Sequence, residues 1–312
     1  MCLALNHFGG GHFQRVTGYC GNVSQNAAFC AIERVRQKLV ELKAEFIRLP
    51  TVAEMEATAA RIEERFQLPN FAYGIDGMPV RFDEAIRGIP VGPGFANLQN
   101  YRSRKGYYCI NVLYVANDQH LILAFDRDWH GAAHDARIWT QSLFKPLIEA
   151  QPRFLLAGDS AFPISNVLVK PFSNAEAEVD ARKRLFNKRH SGLRTVMTEN
   201  TFGIMTKRFP ILKKMRSHYQ NAKETIDATA VLHNISILLH DDVPVEVVRP
   251  DPDVLVVPPV AADDLQEEFV PENVRRAAIR QQGRDNDVLM TNDGLFCWSL
   301  SREKNLRLRP FY

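Results

Sequence analysis

Apolar side chains early in the chain return every third or fourth position, at Ile32, Val35, Leu39, Leu42 and Phe46. That spacing predicts one long helix with a single buried stripe, and Asn22-Val23-Ser24-Gln25 ahead of it supplies helix-start chemistry. A second helix is predicted over 51–66, with Thr51 as N-cap, Glu54 at the capping-box position and Pro69 beyond its end. From residue 71 the pattern changes. Phe71 to Ile75 reads as a short buried strand running into Asp76-Gly77, and 107–115 and 120–125 are β-rich runs joined by Ala116-Asn117-Asp118-Gln119, a hairpin signal. Residues 135–149 suit a helix ending before Pro152, and Phe154 to Ala157 is a short apolar strand that meets Gly158-Asp159. Two further helices are predicted, around 195–207 and across 223–241, the second with Ala228, Val231, Ile235 and Leu238 as its apolar face. Strands alternating with helices predict an α/β body built on a sheet of three or more strands.

Three regions follow: a helical N-terminal segment over 1–70, the α/β body over 71–240, and a tail over 241–312. The tail mixes Pro, Val and Asp without periodicity, turns acidic over 262–268 and has a short helix predicted at 272–282. Charge sharpens this division. The net charge of +3 splits into 30 basic and 22 acidic groups in the first 240 residues, against 9 and 14 from Asp241 onward. A basic body with an acidic tail points to an anionic partner for the body. No apolar stretch approaches the ~20 residues that span a bilayer, so no membrane association is expected. The five cysteines are scattered without a CxxC pair, which fits a reducing compartment better than a disulfide framework or a structural zinc site.

The candidate chemistry lies in the acids at strand ends. Asp76 directly follows one predicted buried strand and Asp159 lies one residue past another. Ligands of open α/β sheets gather at the carboxyl ends of strands. If the two strands are parallel neighbours, their carboxylates converge, and a hard divalent cation takes oxygen ligands of this kind. The same residues also have ordinary structural uses, because Asp-Gly is a common turn and Asp-Ser after a strand makes a good helix N-cap. Glu199, within a predicted helix, is equally suited to a solvated helix surface.

A series of segments then carries a family resemblance. Tyr73-Gly74-Ile75-Asp76-Gly77, Tyr101-Arg102-Ser103-Arg104-Lys105-Gly106-Tyr107-Tyr108 followed by Asn111-Val112, and His134-Asp135-Ala136-Arg137 come first. Gly158-Asp159-Ser160-Ala161-Phe162-Pro163, Phe186-Asn187 with Arg194, Glu199-Asn200-Thr201-Phe202-Gly203 with Lys207-Arg208-Phe209, and Leu232-His233-Asn234 follow. In this order they resemble the PIF/Harbinger transposases of the DDE superfamily endonucleases. The resemblance implies an RNase H-like mixed sheet flanked by helices, with Asp76, Asp159 and Glu199 as catalytic, metal-holding triad and Asp135 as an accessory acid. It implies Mg²⁺ or Mn²⁺ as cofactor, with Asp76 shared between two ions, Asp159 on one and Glu199 on the other. It further implies DNA as substrate and a separate Myb-like DNA-binding partner protein. The sequence departs from the pattern at Met78-Pro79, where the family usually has Thr-His, which removes two polar groups beside the first acid. A domesticated, non-catalytic DNA- or protein-binding factor on the same fold is therefore the alternative function.

Gly21 to Phe29 resembles the last helix of that family's helix-turn-helix, with Ala27 and Ala28 where Thr and Val usually stand. The helices that should precede it are missing or compressed into the first 20 residues, so packing against the body is its expected role. Basic clusters flank Glu199: Arg182-Lys183-Arg184, Lys188-Arg189-His190, and Lys207-Arg208 continuing to Lys213, Lys214 and Arg216. With Arg102, Arg104 and Lys105 they are the candidate phosphate contacts, and the first two clusters resemble a nuclear localisation signal. A nuclear location and a homo-oligomer complete the expectation. His233 and Asn234 are expected to be satisfied core residues, and Trp129 and Trp139 packing residues.

Overall fold

The computed structural model describes residues 1–83, 87–89 and 97–241. The acidic tail and its helix at 272–282 lie outside the described residues. Helix α1 (Cys2–Gly10) closes on Gly11, whose left-handed backbone (φ 61°) lets its N–H reach the His7 carbonyl. Helix α2 (Gln14–Cys20) is followed after four residues by α3 (Gln25–Glu41). Ser24 caps α3, accepting from the Ala27 N–H at 3.2 Å. The compressed helices expected before α3 are thus present within the first 20 residues.

Helix α3 buries Ala28, Ile32, Arg36 and Leu39, whereas the predicted stripe continued through Leu42 to Phe46. The helix stops at Glu41, Leu42 is exposed, and a single turn, α4 (Lys43–Phe46), resumes beyond it. That turn delivers Lys43 to Asp227 at 2.8 Å and the Phe46 carbonyl to the Asn234 amide at 2.8 Å. Helix α5 (Val52–Phe66) has the full capping box: the Thr51 hydroxyl accepts from the Glu54 N–H and the Glu54 carboxylate accepts from the Thr51 N–H. Thr51→Ala removes half of that reciprocal pair and is expected to cost about 1 kcal/mol in urea unfolding, with no change in m.

The sheet has five strands in the order β3-β2-β1-β4-β5. Strand β1 (Phe71–Arg81) is antiparallel to β2 (Cys109–Ala116), which is antiparallel to β3 (Ile122–His130). On the other side β1 is parallel to β4 (Leu155–Ala157), and β4 to β5 (Leu168–Val169). This is the mixed sheet of an RNase H-like α/β fold. Strand β1 is twice the predicted length, running through Asp76, Gly77 and Pro79 instead of ending before them. Pro79 is tolerated because β4 pairs only as far as Gly74, leaving β2 as the one neighbour beyond that point.

Strand β2 is buried throughout, and its alternation separates two cores. Ile110, Val112 and Tyr114 join Met78 and Val80 under α1, α3 and two later helices, α10 (Asn200–Arg208) and α11 (Tyr219–Leu238). Leu113 and Val115 join Tyr73 and Ile75 under α5 and α6 (Asp135–Gln141). The N-terminal helices therefore share the cores of the sheet. The helix expected over 135–149 is two, α6 and α7 (Lys145–Glu149), because Ser142 is extended between them. Two helices were not anticipated, α8 (Asn174–Val179) and α9 (Ala181–Arg194). Their sequences are so polar that no apolar stripe announces them. Helix α11 is enclosed along most of its length, but Leu238, assigned to its apolar face, is 54% exposed. No described helix is long and apolar enough to cross a membrane.

Candidate active site

Parallel pairing of β1 with β4 determines the first two acids. Gly74 pairs with Ala157, and Asp76 and Asp159 each follow two residues beyond that pair. The condition set for the two acids to converge, parallel neighbouring strands, is met. Asp76 is half-buried, its Oδ1 accepting from the Gly77 N–H at 2.9 Å and its Oδ2 from Arg194 Nη2 at 3.0 Å. Asp159 turns its Oδ1 onto the Ala161 N–H at 2.9 Å.

Asp135, the first residue of α6, joins them through a glycine. A β-carbon on Gly77 would stand 2.5 Å from the Asp135 Cγ, so the carboxyl group occupies the space that a side chain at 77 would fill. Asn111 Nδ2 donates to Asp135 Oδ1 at 2.7 Å and to the Ala133 carbonyl at 2.9 Å, fixing the entry to α6. Burial pushes the Asp76 carboxyl above the usual range, opposed by the Arg194 guanidinium and the Gly77 N–H and reinforced by Asp135 and Asp159. Burial likewise pushes Asp135 up, opposed by Asn111 and reinforced by Asp159. Asp76 and Asp135 are thus both raised by burial and by the charge of neighbouring carboxylates, in a site short of positive charge.

Glu199 comes from a different element. Helix α9 does not end at Arg194 but passes through a π turn, Thr195–Glu199, into α10. The turn packs on β1 where Gly74 has no side chain: a β-carbon there would be 2.6 Å from Met197 Cβ and 3.1 Å from Thr198 Cγ2. Residues 74 and 76 share a strand face, so this is the face Asp76 occupies. Arg194, just before the turn, grips Asp76, and Glu199 closes the turn's other end. Glu199 itself is exposed, and its Oε2 accepts from the Thr195 hydroxyl at 3.4 Å.

The donor set is all oxygen, which in kind suits a hard divalent cation. In placement, no three His, Cys, Asp or Glu side chains among the described residues stand ready to enclose one. The cation on Asp76 is Arg194, whose buried Nε has no partner.

The basic candidates divide. Arg104 Nη2 lies 2.7 Å from His134 Nε2, which brings the Arg102–Lys105 loop beside Asp135. Arg102 donates to the Gly106 carbonyl within that loop, and Lys105 is exposed. Arg182, Arg184, Lys188 and Lys207 are exposed, and Lys183 is half-buried against Glu176 and the Phe172 ring. Arg189 and Arg208 do not face solvent. Arg189 is buried against the Gln67 side chain, and Arg208 folds onto the Asp241 carbonyl with its side chain 9% exposed. Both belong to the packing of their helices and drop out as phosphate contacts.

Asn111 and Arg194 lay within motif segments but without a role. Asn111 carried its own signal: a polar amide in the otherwise apolar run Cys109–Ala116 must find a buried partner. His233 and Asn234 are both core residues as expected, but only Asn234 is fully satisfied, since His233 Nδ1 is buried without a partner. Asn234 accepts from the Ile122 N–H at 2.9 Å and donates to the Ile122 carbonyl at 2.7 Å, completing the edge of β3, and His233 Nε2 meets the His120 carbonyl at 2.8 Å.

The mixed sheet thus carries acids at adjacent parallel strand ends, with a helix carrying a further acid beyond them. Residues 75–234 match the family described as DDE superfamily endonuclease, and the chain belongs to it. It is 29% identical over 242 residues to "Putative nuclease HARBI1" of Homo sapiens and 28% identical to its Bos taurus counterpart, covering 75% of this chain in both cases. The Xenopus laevis protein of the same name is 26% identical over 247 residues, covering 76% of this chain and 67% of its own. The chain spans about 65% of the length of the human and bovine relatives. No solved structure matches it. Members of this family generally use divalent metal ions.

Proposed function

We propose that the chain is a metal-dependent DNA endonuclease of the transposase type, cutting or transferring phosphodiester strands. The observation that carries this reading is the side-by-side placement of Asp76 and Asp159 beyond the paired ends of β1 and β4, with Asp135 in the same field. Asp76, Asp159 and Glu199 would hold Mg²⁺ or Mn²⁺, with Asp135 as accessory acid. When bound, such ions activate the attacking water or 3′-hydroxyl and stabilise the leaving oxygen. The chain's own residues do the positioning. The Gly77 N–H and Arg194 orient the two oxygens of Asp76, and Asn111 aims Asp135. Arg104, held on His134 next to Asp135, and the exposed Lys105, Arg182, Arg184, Lys188 and Lys207 would contact the phosphates. A nuclear location, a Myb-like partner and a homo-oligomer belong to the same reading, supported by the basic clusters and the family resemblance.

Nicking of supercoiled plasmid by the purified chain tests the proposal. The expected result is cutting with Mg²⁺ or Mn²⁺, none in EDTA, and reduction to background in Asp76→Asn and Asp159→Ala. DNA binding without cutting, combined with no calorimetric uptake of either metal, would instead assign a non-catalytic binding factor.

A further inference from the structure

Away from the carboxylates, a cavity of about 580 Å³ opens between the N-terminal helices and the body. Its walls come from the α1–α2 junction, the start of α3, and the segment from Ile211 to Thr225 that leads into α11. The arrangement is fixed by close packing: a β-carbon on Gly11 would lie 3.2 Å from the Ile211 N, so the end of α1 is seated on the opposite wall. Among the described residues, none of those lining it is Asp or Glu, while Arg15, Arg36, Lys214 and Arg216 are all present with His7, His12 and His218.

Part of this charge is already matched. Arg36 is held by Glu33 and Glu224, and Lys214 and Arg216 share the single carboxylate of Asp83 at 2.7 and 2.6 Å. Among the described residues, two cations on one acid leave a positive excess at the rim, and Arg15 adds an exposed guanidinium from α2. Two other observations point to what enters. The Ser217 hydroxyl, in the wall, is buried without a hydrogen-bond partner. Phe13 is 58% exposed at the mouth with the Arg216 guanidinium 4.4 Å from its ring centroid, and Phe29 on α3 is 38% exposed. Cations for phosphate, an aromatic face for a base and a spare hydroxyl form the combination that binds nucleotides, and the volume suits a ligand of that size.

We propose that this cleft is a metal-independent nucleotide-binding site, taking the phosphate at Arg15, Lys214 and Arg216 and stacking the base on Phe13. The nucleotide is either free or one unit of a single strand. The site uses none of the carboxylates, so its test is independent of the nuclease reading.

Binding of a short fluorescein-labelled oligothymidylate to the full chain, followed by anisotropy in EDTA, reads the site directly. Arg15→Gln is expected to weaken binding about fivefold and to lower the slope of log K against log salt by about 0.7, the value for one phosphate contact on a single strand. Phe13→Ala is expected to weaken it about tenfold through lost stacking, with little change in slope. Lys38→Gln, on the far end of α3, leaves both unchanged. Displacement of the probe by ATP at concentrations where inorganic phosphate fails supports the site with a free nucleotide as occupant. Displacement by unlabelled oligothymidylate alone supports it with a strand. Both substituted side chains are exposed, so the variants should melt with the parent; if Phe13→Ala melts early, Phe13→Leu keeps the apolar volume and removes the aromatic face. No binding in EDTA, binding unaffected by both Arg15→Gln and the Phe13 variant, or equal displacement by phosphate and ATP would each overturn the proposal.

Discussion

Gly77→Ala is expected to abolish metal-dependent cleavage, although the substitution removes no functional atom. An alanine β-carbon would lie 2.5 Å from the Asp135 Cγ, a separation that real side chains do not sustain. Two relaxations are open, and each disturbs the acids. Either Asp135 swings off the strand and gives up its 2.7 Å bond from Asn111, or β1 shifts and carries Asp76 away from Arg194 and from the level of Asp159. Misplacing a reacting group by about 1 Å is enough to cost roughly 10²-fold in rate, and overpacking a site of this kind costs about 1–3 kcal/mol in stability. Plasmid nicking, calorimetric titration with Mn²⁺ and urea unfolding should therefore all respond. Gly203→Ala is the matched control. Nothing lies within 4 Å of its β-carbon, it sits inside α10, and it is expected to stabilise the chain by about 0.5–1 kcal/mol with cleavage intact. Full activity in Gly77→Ala would show that Asp135 does not need to lie over the strand.

How far the chain could be read in advance depended on where the information was local. The cap of α5 was legible because Thr51 and Glu54 satisfy each other within one turn, and the hairpin between β2 and β3 because Asn117 folds its own side chain onto the Gln119 and Leu121 N–H groups. The two short apolar runs each leading to an acid were legible, but their parallel pairing, as β1 with β4, stood only as the condition for the acids to converge. The full length of β1 was not legible. Asp-Gly and a proline read as a turn, and only pairing with β2, more than 30 residues away, holds that stretch extended. Helices α8 and α9 were hidden for a different reason: α8 buries no side chain, and the burial of α9 depends on Phe186, His190 and Leu193 in an otherwise strongly polar sequence. The π turn is the most consequential omission. Its winding is dictated by the approach of Met197 and Thr198 to Gly74, a tertiary contact that the helical pattern around Glu199 does not encode. Arg189 and Arg208 were misread because composition counts charge without seeing direction, and both point into the protein.

Acidification is expected to destabilise the chain well before its surface carboxylates titrate, through two buried imidazoles. His190 lies under α9 against Phe186 and Phe71, with its Nε2 on the Val169 carbonyl at 3.1 Å, and burial pushes its pKa down to about 4. His233 lies in α11 with its Nε2 on the His120 carbonyl and its Nδ1 buried without a partner, and burial again pushes the pKa down to about 4. In the unfolded chain both rings titrate near 6.5. Between pH 4 and 6.5 the unfolded state therefore binds more protons than the folded one, and stability must fall as pH falls through that window. Above about pH 6.5 the contribution is complete; by pH 5 the loss is on the order of 2 kcal/mol for each ring. The low carboxyls of Glu54 and Glu176, held down to about 2 by Arg48 and by Ser173 respectively, lose their ionised form only below this range. Asp76 and Asp135, pushed up by burial and by neighbouring carboxylates, act in the opposite sense and soften the slope at its acid end. Urea unfolding at pH 7.5 and 5.0 isolates the imidazoles when repeated with His190→Gln, whose stability should drop less between the two pH values than that of the parent, by about 2 kcal/mol. An identical drop in parent and variant would mean that the His190 ring takes up its proton inside the fold, and that α9 opens toward β5 to let it.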